Sequence, residues 1–149
     1  MEKLNELFAD TVRDIYYADK KILKSLPKMA KKASSPKLAK AFEMHIAETE
    51  AHVERLDQVF ELIGKTARGK TCPAIDGIIE EGEESMKEAK DATVRDAGML
   101  AAAQAVEHYE ITRYGTLRSW AQKLGMTEAA KLLDATLKEE KATDVSLPN

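Results

Sequence analysis

Apolar residues recur at alternating spacings of four and three along four long stretches of the chain, the pattern of helices that face a bundle core. The first two stretches carry Phe8, Val12, Ile15, Ile22, Leu26 and Met29, and then Leu38, Phe42, Leu56, Val59 and Ile63. The last two carry Leu100, Ala103, Leu117, Ala121 and Leu124, and then Leu133, Leu137 and Leu147. The sequence therefore predicts an all-α protein.

Proline and glycine mark the limits of the first two long helices. Ser34-Ser35-Pro36 supplies an N-cap and a first-turn proline, so one helix should end near Lys32 and the next should begin at Pro36. Gly64 is a natural stop for that second helix. Pro27 lies inside the first helical pattern, where it should kink the last turns or shorten the helix.

The second half of the chain has a similar arrangement. Asp91 or Thr93 can cap a long helix, which should end just before Gly125. Thr127 can cap a last helix that reaches about Leu147.

A crossover of about 30 residues joins the two pairs of long helices. It begins with the basic, glycine-containing segment 64–73 and continues into a shorter helix predicted over residues 74–90. A four-helix bundle with one long connection has the ferritin-like topology, whereas up-down-up-down bundles use short loops throughout. We therefore expect a single ferritin-like domain over residues 1–149, built from two antiparallel helix hairpins with a short extra helix in the crossover.

The composition excludes several other classes of protein. Of the 149 residues, 44% are hydrophobic and 33% are charged, which is too apolar for a disordered chain. The net charge of −3 comes without the basic stripe of a nucleic-acid binder, and no 18-residue apolar run could span a membrane. The acidic N-terminus lacks the apolar core of a signal peptide, and the lone Cys72 can form no intrachain disulfide. We therefore expect a cytoplasmic protein.

Polar residues interrupt each apolar pattern near the middle of its helix, at positions that should face the core. They are Asp19 in the first helix, His45, Thr49 and His52 in the second, Glu107, Glu110 and Tyr114 in the third, and Glu140 and Asp144 in the last. Glu48 lies on the same side of its helix as the two histidines, three residues after one and four before the other.

These polar positions lie at matching distances from the predicted turns. Asp19 lies 15 residues before the first turn at Ser34, and Thr49 lies 15 residues after it. Glu110 and Glu140 lie 15 residues before and after the glycine of the second turn. At about 1.5 Å per residue, each cluster stands on the order of 25 Å from its own turn. Antiparallel packing of the hairpins would bring all four clusters into one layer.

A layer of six carboxylates requires a physical explanation. A single carboxylate at a predicted core position is usually a misphased surface residue, and a lone histidine there is usually a satisfied core residue. Six at one level are different, because each buried, unpaired charge costs several kcal/mol and neighbouring carboxylates repel each other. No Lys or Arg occupies the central core-facing positions. Two divalent cations would supply four positive charges, so the sequence predicts a metal-binding core.

Several stretches resemble the bacterial YciE/YciF-type stress-associated family of ferritin-like proteins. They are residues 7–30 (LFADTVRDIYYADKKILKSLPKMA), 45–56 (HIAETEAHVERL), and 69–82 (GKTCPAIDGIIEEG) followed by 101–121 (AAAQAVEHYEITRYGTLRSWA). The resemblance covers nearly the whole chain. It implies a ferritin-like fold, self-association and a di-iron site, and it does not supply a reaction.

Carried over residue by residue, the resemblance implies seven metal ligands, namely Asp19, Glu48, His52, Glu107, Glu110, Glu140 and Asp144. The residues expected beside them, without a bond to metal, are His45, Thr49 and Tyr114. The pair Glu107 and Glu110 is similar to the rubrerythrin arrangement, in which an extra carboxylate can move on and off an iron. Two divalent ions are implied, and this oxygen-rich ligand set suits iron, or alternatively manganese, better than copper.

The sequence departs from the family pattern at two ligand positions. His52 follows Glu48 by four residues rather than three, and Asp144 stands where a second histidine is expected. Both offsets keep the paired residues on one helical face. Spacing alone does not choose between His45 and His52. We favour His52 as the ligand, because Glu140 and Asp144 share its offset of four residues.

Three functions fit this pattern. The first is a non-haem di-iron enzyme that oxidises Fe(II) or consumes peroxide or dioxygen, in which Tyr114 would be placed for electron transfer. The second is a non-enzymatic stress protein that sequesters metal or uses it as a structural staple. The third is an interaction bundle whose metal site is degenerate.

We also expect a homodimer or a larger assembly. Leu7 and Leu23 lie beside the main core-facing positions of the first helix, and Ile75, Ile78 and Ile79 lie in the crossover helix. Together they could form an extra apolar surface of a kind that monomers rarely expose. The alternative is that the crossover helix packs its isoleucines onto its own bundle.

Overall fold

A computed structural model describes residues 3–147, which form five helices and, within that range, no strand. The helices are α1 (Leu4–Lys32), α2 (Pro36–Leu62), α3 (Pro73–Glu88), α4 (Ala92–Lys123) and α5 (Thr127–Ser146). Four of them are long, and α3 is the shorter helix predicted in the crossover. None of the described helices is long and apolar enough to cross a membrane.

Most helix limits fall where the capping residues predicted them. The Ser35 hydroxyl accepts a hydrogen bond from the Leu38 amide, and the Asp91 carboxylate accepts one from the Val94 amide. Gly64 and Gly125 have φ of 68° and 72°, the left-handed conformation that ends α2 and α4 without a side-chain clash.

One local prediction about the helix limits is wrong, and one of the two effects expected of Pro27 is absent. Thr127 does not cap α5, because the helix begins at Thr127 itself and Met126 occupies the N-cap without a side-chain hydrogen bond. Pro27 does not shorten α1, which continues through it to Lys32. Pro27 itself is exposed.

The four long helices pack as two hairpins. Helix α1 pairs with α2 and α4 pairs with α5, while α1 also contacts α4 and α2 also contacts α5. Helix α3 lies over α4 and α1. This is the ferritin-like four-helix bundle with one long crossover, as the sequence predicted.

The apolar core lies above and below the middle of the bundle. Its fully buried members include Phe8, Val12, Ile15, Phe42, Val59, Met99, Leu117 and Ala121. Burying one large apolar side chain contributes about 1.5–3 kcal/mol to the free energy of unfolding. The two apolar ends therefore provide most of the stability of the bundle, because the polar middle cannot provide it.

Asp96 joins the two hairpins at one end of the bundle. Its carboxylate accepts hydrogen bonds from the Ser34 amide, the Ser34 hydroxyl and the Ser35 amide, at 2.9, 2.7 and 2.9 Å. These bonds fix the turn between α1 and α2 against α4. They therefore help to set the height of one hairpin relative to the other.

The loop between α2 and α3 is held against the outside of α1. The Lys70 amide donates to the Arg13 carbonyl at 3.0 Å. Gly69 lies so close to Tyr17 that an added Cβ would be 3.0 Å from the tyrosine Cβ. The Tyr17 hydroxyl donates to the Asp76 carboxylate at 2.8 Å, which ties α3 to α1.

The isoleucines of α3 pack onto their own bundle. Ile75 and Ile79 are buried, and Ile78 is half-buried against the core. An added Cβ at Gly82 would lie 2.9 Å from the Ala102 Cβ, so this glycine permits the close approach of α3 to α4. The expectation that these isoleucines offer a surface for self-association is wrong, and the alternative packing is confirmed.

Candidate metal centre

The structure brings polar side chains from all four long helices into one buried layer. Its members are Asp19 from α1, His45, Thr49 and His52 from α2, Glu107, Glu110 and Tyr114 from α4, and Glu140 from α5, each at most 5% exposed. The matching distances from the turns are the reason these residues meet at one level.

Three of these residues lie close enough to share one cation. His45, Glu107 and Glu140 each offer a ligand atom, and the three atoms lie within 4.8 Å of one another. The Nε2 atom of His45 lies 2.8 Å from Glu107 Oε1. Nitrogen and carboxylate oxygen are the donors that iron and manganese accept.

Asp19 and His52 also contact other members of the layer. The Tyr114 hydroxyl donates to Asp19 Oδ2 at 2.5 Å. The Nδ1 atom of His52 lies 2.8 Å from Glu140 Oε1, although the two groups are not aligned for a regular hydrogen bond. Burial raises the pKa of the Tyr114 phenol well above its ordinary value, so the phenol keeps the proton that it donates.

Many of the buried carboxylate oxygens have no hydrogen bond of regular geometry. They are Asp19 Oδ1, both oxygens of Glu107, both oxygens of Glu110, and Glu140 Oε2. The short contact between His45 and Glu107 is likewise poorly aligned, so it does not satisfy the carboxylate. Unpaired buried polar atoms are rare in folded proteins, and a cation is one of the few partners that explain several at once.

Burial shifts the protonation of these carboxyl groups in one direction. It is the largest cause that raises the pKa of Asp19 to about 6, of Glu107 to about 7 and of Glu140 to about 8. The pKa of Glu110 rises well above its usual range, first through burial and then through repulsion by Asp19 and Glu140. A cation would remove this repulsion and favour the ionised carboxylates.

The pKa values of the two histidines of the layer shift in opposite directions. Burial disfavours the His52 imidazolium, but the carboxylates of Glu140, Asp19 and Glu139 outweigh it and raise the pKa. For His45, burial dominates and lowers the pKa. His45 therefore presents a neutral imidazole, the form that binds a metal ion.

Sequence reasoning missed the partners that connect His52 to the surface. The Nε2 atom of His52 lies 3.0 Å from Glu139 Oε1. Arg55 donates two hydrogen bonds to the Glu139 carboxylate, at 2.7 and 3.0 Å. Both residues lie beside the core-facing positions of their helices. The signal that could have found them is that Arg55 follows His52 by three residues and Glu139 precedes Glu140.

Two of the predicted ligands lie outside the buried group. Glu48 is half-buried and its Oε2 atom accepts a hydrogen bond from the Thr143 hydroxyl at 2.5 Å. Asp144 has a side chain that is 25% exposed and lies 3.2 Å from His108 Nε2. The expectation that Asp144 faces the core is not met, because Thr143 occupies the inward position. His108 itself is exposed.

Cys72 is buried rather than reactive. It is 1% exposed and serves as the N-cap of α3, where its sulfur accepts from the Ile75 amide. Burial raises the pKa of its thiol, which keeps the sulfur protonated at neutral pH. The sulfur lies 3.0 Å from the Tyr109 hydroxyl, which donates to the Asp14 carboxylate.

Comparison with known proteins confirms the resemblance seen in the sequence. A family model described as "Domain of unknown function (DUF892)" matches residues 3–149. The protein YciF of Escherichia coli (strain K12) is 46% identical over 149 residues, which cover 99% of this chain and 89% of that protein. The crystal structure of the E. coli stress protein YciF matches with a TM-score of 0.94 and 44% identity, covering 99% of this chain and 93% of that chain.

Two further solved structures share the architecture. YcfI from Rhodopseudomonas palustris, whose description proposes a structural role, matches with a TM-score of 0.96 and 46% identity, covering 98% of this chain and 93% of that chain. A protein from Xanthomonas campestris pv. campestris matches with a TM-score of 0.76 and 20% identity, covering 97% and 88%. The last match shows the fold alone.

We expect the metal-free protein to lose unfolding free energy as the pH rises from about 5 to about 8. The folded-state pKa values of Asp19, Glu107 and Glu140 are about 6, 7 and 8, above unfolded values near ~4. The folded protein therefore binds more protons than the unfolded protein in this window, and it loses that advantage as the protons leave. The raised pKa of His52 changes the unfolding free energy with pH in the same direction, and the lowered pKa of His45 changes it in the opposite direction.

The loss should be on the order of a few kcal/mol, since one pKa unit corresponds to about 1.4 kcal/mol and the groups are coupled. Urea unfolding with a chelator at several pH values measures it. Glu107→Gln should flatten the profile, whereas Glu61→Gln, an exposed change on α2, should not. A wild-type profile that is flat or rises with pH would contradict the prediction.

Proposed function

The chain belongs to the DUF892 family, and from that premise we propose that it binds two divalent metal ions in its buried carboxylate layer. The observation that supports the proposal is the set of buried carboxylate oxygens without hydrogen-bond partners on Asp19, Glu107, Glu110 and Glu140. Each such charge costs several kcal/mol, and direct coordination by a divalent cation offsets that cost. Iron suits this set of oxygen and imidazole donors, with manganese as the alternative.

The ligands would come from all four long helices. Asp19, Glu107, Glu110 and Glu140 would supply the inner carboxylates. Glu48 would bind a metal ion in place of its contact with Thr143, and Asp144 in place of its contact with His108. His52 would bind a metal ion in place of its contact with Glu140. His45 would stay beside the ions. Its proximity to Glu107 and Glu140 supports the competing assignment, in which His45 is itself a ligand.

With Fe(II) as substrate, the layer would carry out a two-electron oxidation. Two Fe(II) ions lose one electron each, and hydrogen peroxide accepts both electrons and two protons to give two water molecules. The chain would contribute by excluding water and by holding Asp19 through the Tyr114 hydroxyl. Contacts from Glu140 through His52 to Glu139 link the layer to solvent and would carry protons. Tyr114 would pass electrons in this reaction.

A non-enzymatic function is the second candidate. Each buried histidine lies against a buried carboxylate, His45 beside Glu107 and His52 beside Glu140. The raised pKa of His52 favours its imidazolium, which would balance part of the charge of the layer without a metal ion. The description of the R. palustris relative also proposes a structural role. In this case the protein would sequester metal without turnover, or its layer would be degenerate. Metal content and Fe(II) oxidation separate the candidates.

The relative in E. coli is described as a stress protein, and we propose that this chain also acts in a bacterial stress response. The net charge of −3 without a basic stripe supports a function without nucleic acid. We place that function in the cytoplasm, where the buried thiol of Cys72 would stay reduced.

We expect protein purified without chelator to carry about two iron or manganese ions per chain, measured by elemental analysis. Adding Fe(II) or Mn(II) to the metal-free protein should raise the melting temperature by several degrees, because a ligand that binds only the folded state stabilises it. The double variant Glu107→Gln, Glu110→Gln should lose this effect, and the exposed pair Glu61→Gln, Glu84→Gln should keep it. A wild-type protein that takes up no metal and melts unchanged would sink the proposal.

Alanine substitution decides which histidine binds metal. His52→Ala should lose one of the two ions or weaken its affinity about 10-fold or more, and His45→Ala should have a milder effect, as for a residue beside the ligands. Isothermal titration with Mn(II) measures both stoichiometry and affinity. If His45→Ala empties the site while His52→Ala leaves it intact, the assignment of His52 is reversed.

We also propose that the chain forms a homodimer or a larger assembly. Leu7 and Leu23 are half-buried on α1, and Met44, Leu62 and Val94 are more than half exposed, at 58%, 53% and 59%. Sedimentation at micromolar concentration should show a species of at least twice the chain mass of 16.5 kDa. Leu62→Lys and Leu23→Lys are the informative variants, with Lys24→Glu as a surface control. A single 16.5 kDa species would contradict self-association.

A further inference from the structure

An apolar cavity of about 30 Å³ lies between α1, α3 and α4 and reaches the buried layer at His45. Its inner walls are formed by Leu26, Ile79, Met86, Ala103 and Val106, all buried. Its rim carries Ser25, Lys28 and Glu83, which are partly or largely exposed. The cavity therefore leads from the surface to the candidate metal centre along apolar walls.

A second, larger cavity reaches His45 from another side of the bundle. It measures about 210 Å³ and lies between α2 and α5. Its lining mixes polar residues with apolar ones, and includes Lys37, Lys40, Ala41, Met44, Glu48, Thr143 and Leu147. Glu48, one of the predicted ligands, is half-buried there and accepts the Thr143 hydroxyl hydrogen bond. Two cavities thus meet at one histidine, and the second one contains a carboxylate that could bind a cation.

The two routes suit different molecules. Moving an ion from water into an apolar passage costs several kcal/mol or more, so a cation would follow the second cavity, where the Glu48 carboxylate can bind it. A small apolar cavity stays dry and instead takes up neutral, weakly hydrated molecules such as xenon or benzene. With about 30 Å³ available, only a molecule of two or three heavy atoms fits without displacing the walls.

We infer that the apolar cavity between α1, α3 and α4 is a binding site and access route for dioxygen, separate from the route for cations past Glu48. Hydrogen peroxide, the other oxidant considered above, would lose its hydrogen bonds to water in this passage without replacing them, at a cost of about 1–3 kcal/mol for each group. Dioxygen has no such bonds to lose. The apolar walls therefore select it over peroxide.

This inference rests on the proposed function, since dioxygen would serve Fe(II) held in the layer. Two Fe(II) ions would give one electron each, and dioxygen would accept both electrons and two protons to form hydrogen peroxide. The cavity contributes to this step only by delivering and holding the oxidant. Its existence as a binding site does not depend on iron.

Xenon tests the cavity in the metal-free protein. Crystals of the protein under xenon pressure should show one xenon site against Leu26, Met86 and Val106. Ala103→Val, which adds two methyl groups to a buried wall, should reduce its occupancy at least severalfold. Thermal melting checks that the variant folds. No xenon at this position in the wild-type crystals would overturn the inference.

The rate of Fe(II) oxidation tests the route. Ser25→Phe places a large side chain at the rim, and Ser119→Phe makes the same change at an exposed position of α4 as a control. With dioxygen as oxidant, Ser25→Phe should oxidise Fe(II) about fivefold or more slowly than Ser119→Phe. With hydrogen peroxide as oxidant, the two should match the wild type.

The failures of the two proposals can be told apart. If dioxygen and peroxide rates are unchanged in both Ser25→Phe and Ala103→Val, the route is wrong although iron is bound and oxidised. If both oxidants slow equally, the cavity does not discriminate and the inference is also wrong. If the wild type binds no iron, the proposed function fails, and with it the role of dioxygen, while the xenon crystals still decide whether the cavity binds small apolar molecules.

Discussion

The cost of placing carboxylates midway along packed helices is the constraint to which the rest of the structure responds. In the middle of an α-helix every backbone N–H is already bonded to a carbonyl four residues earlier, so the backbone has no donor to offer a buried side chain. The carboxylates of Asp19, Glu107, Glu110 and Glu140 can therefore be met only by other side chains or by cations. Two imidazoles and one phenol are available in the layer, which is fewer donors than the carboxylate oxygens require.

The apolar ends of the bundle offset the energetic cost of the buried carboxylates. Phe8 and Phe42, both fully buried, belong to well-packed ends on either side of the polar layer. Asp96 fixes the relative height of the hairpins at one end, and the loop against α1 fixes the crossover. Side chains that stand on such rigid helices are held near one geometry, which would favour the proposed metal binding over collapse of the layer. The residues that stabilise the bundle and those of the candidate site are thus separated along the helix axis rather than between surface and core.

The sequence predicted the fold well because its signals are local and mutually consistent. Pro36, Gly64 and Gly125 each fix a helix limit through their own backbone preferences, and the apolar spacing fixed the inward face of α1, α2 and α4. The sequence determined the inward face of the last turns of α5 less well. Between Leu137 and Leu147 the sequence has one large apolar residue, Val145, and it is 84% exposed, so it does not mark the inward face. Spacings of three and four therefore fit equally well, and the structure turns Thr143 inward. The direction in which α3 faces, and the Arg55–Glu139 pair beside His52, depend on contacts between distant segments, which helical periodicity does not report.

The equal spacing of the polar layer from both turns limits how such a chain can change its length. One residue inserted in a helix between a turn and the layer would rotate every residue beyond it by about 100° and move it by about 1.5 Å. A carboxylate in the layer would then leave the core and an apolar neighbour would take its place. Insertions in the loop over residues 63–72 would leave the layer in register, because that loop lies outside both hairpins. Helix segments on the turn side of the layer should therefore align without gaps among relatives, and length variation should collect in the crossover.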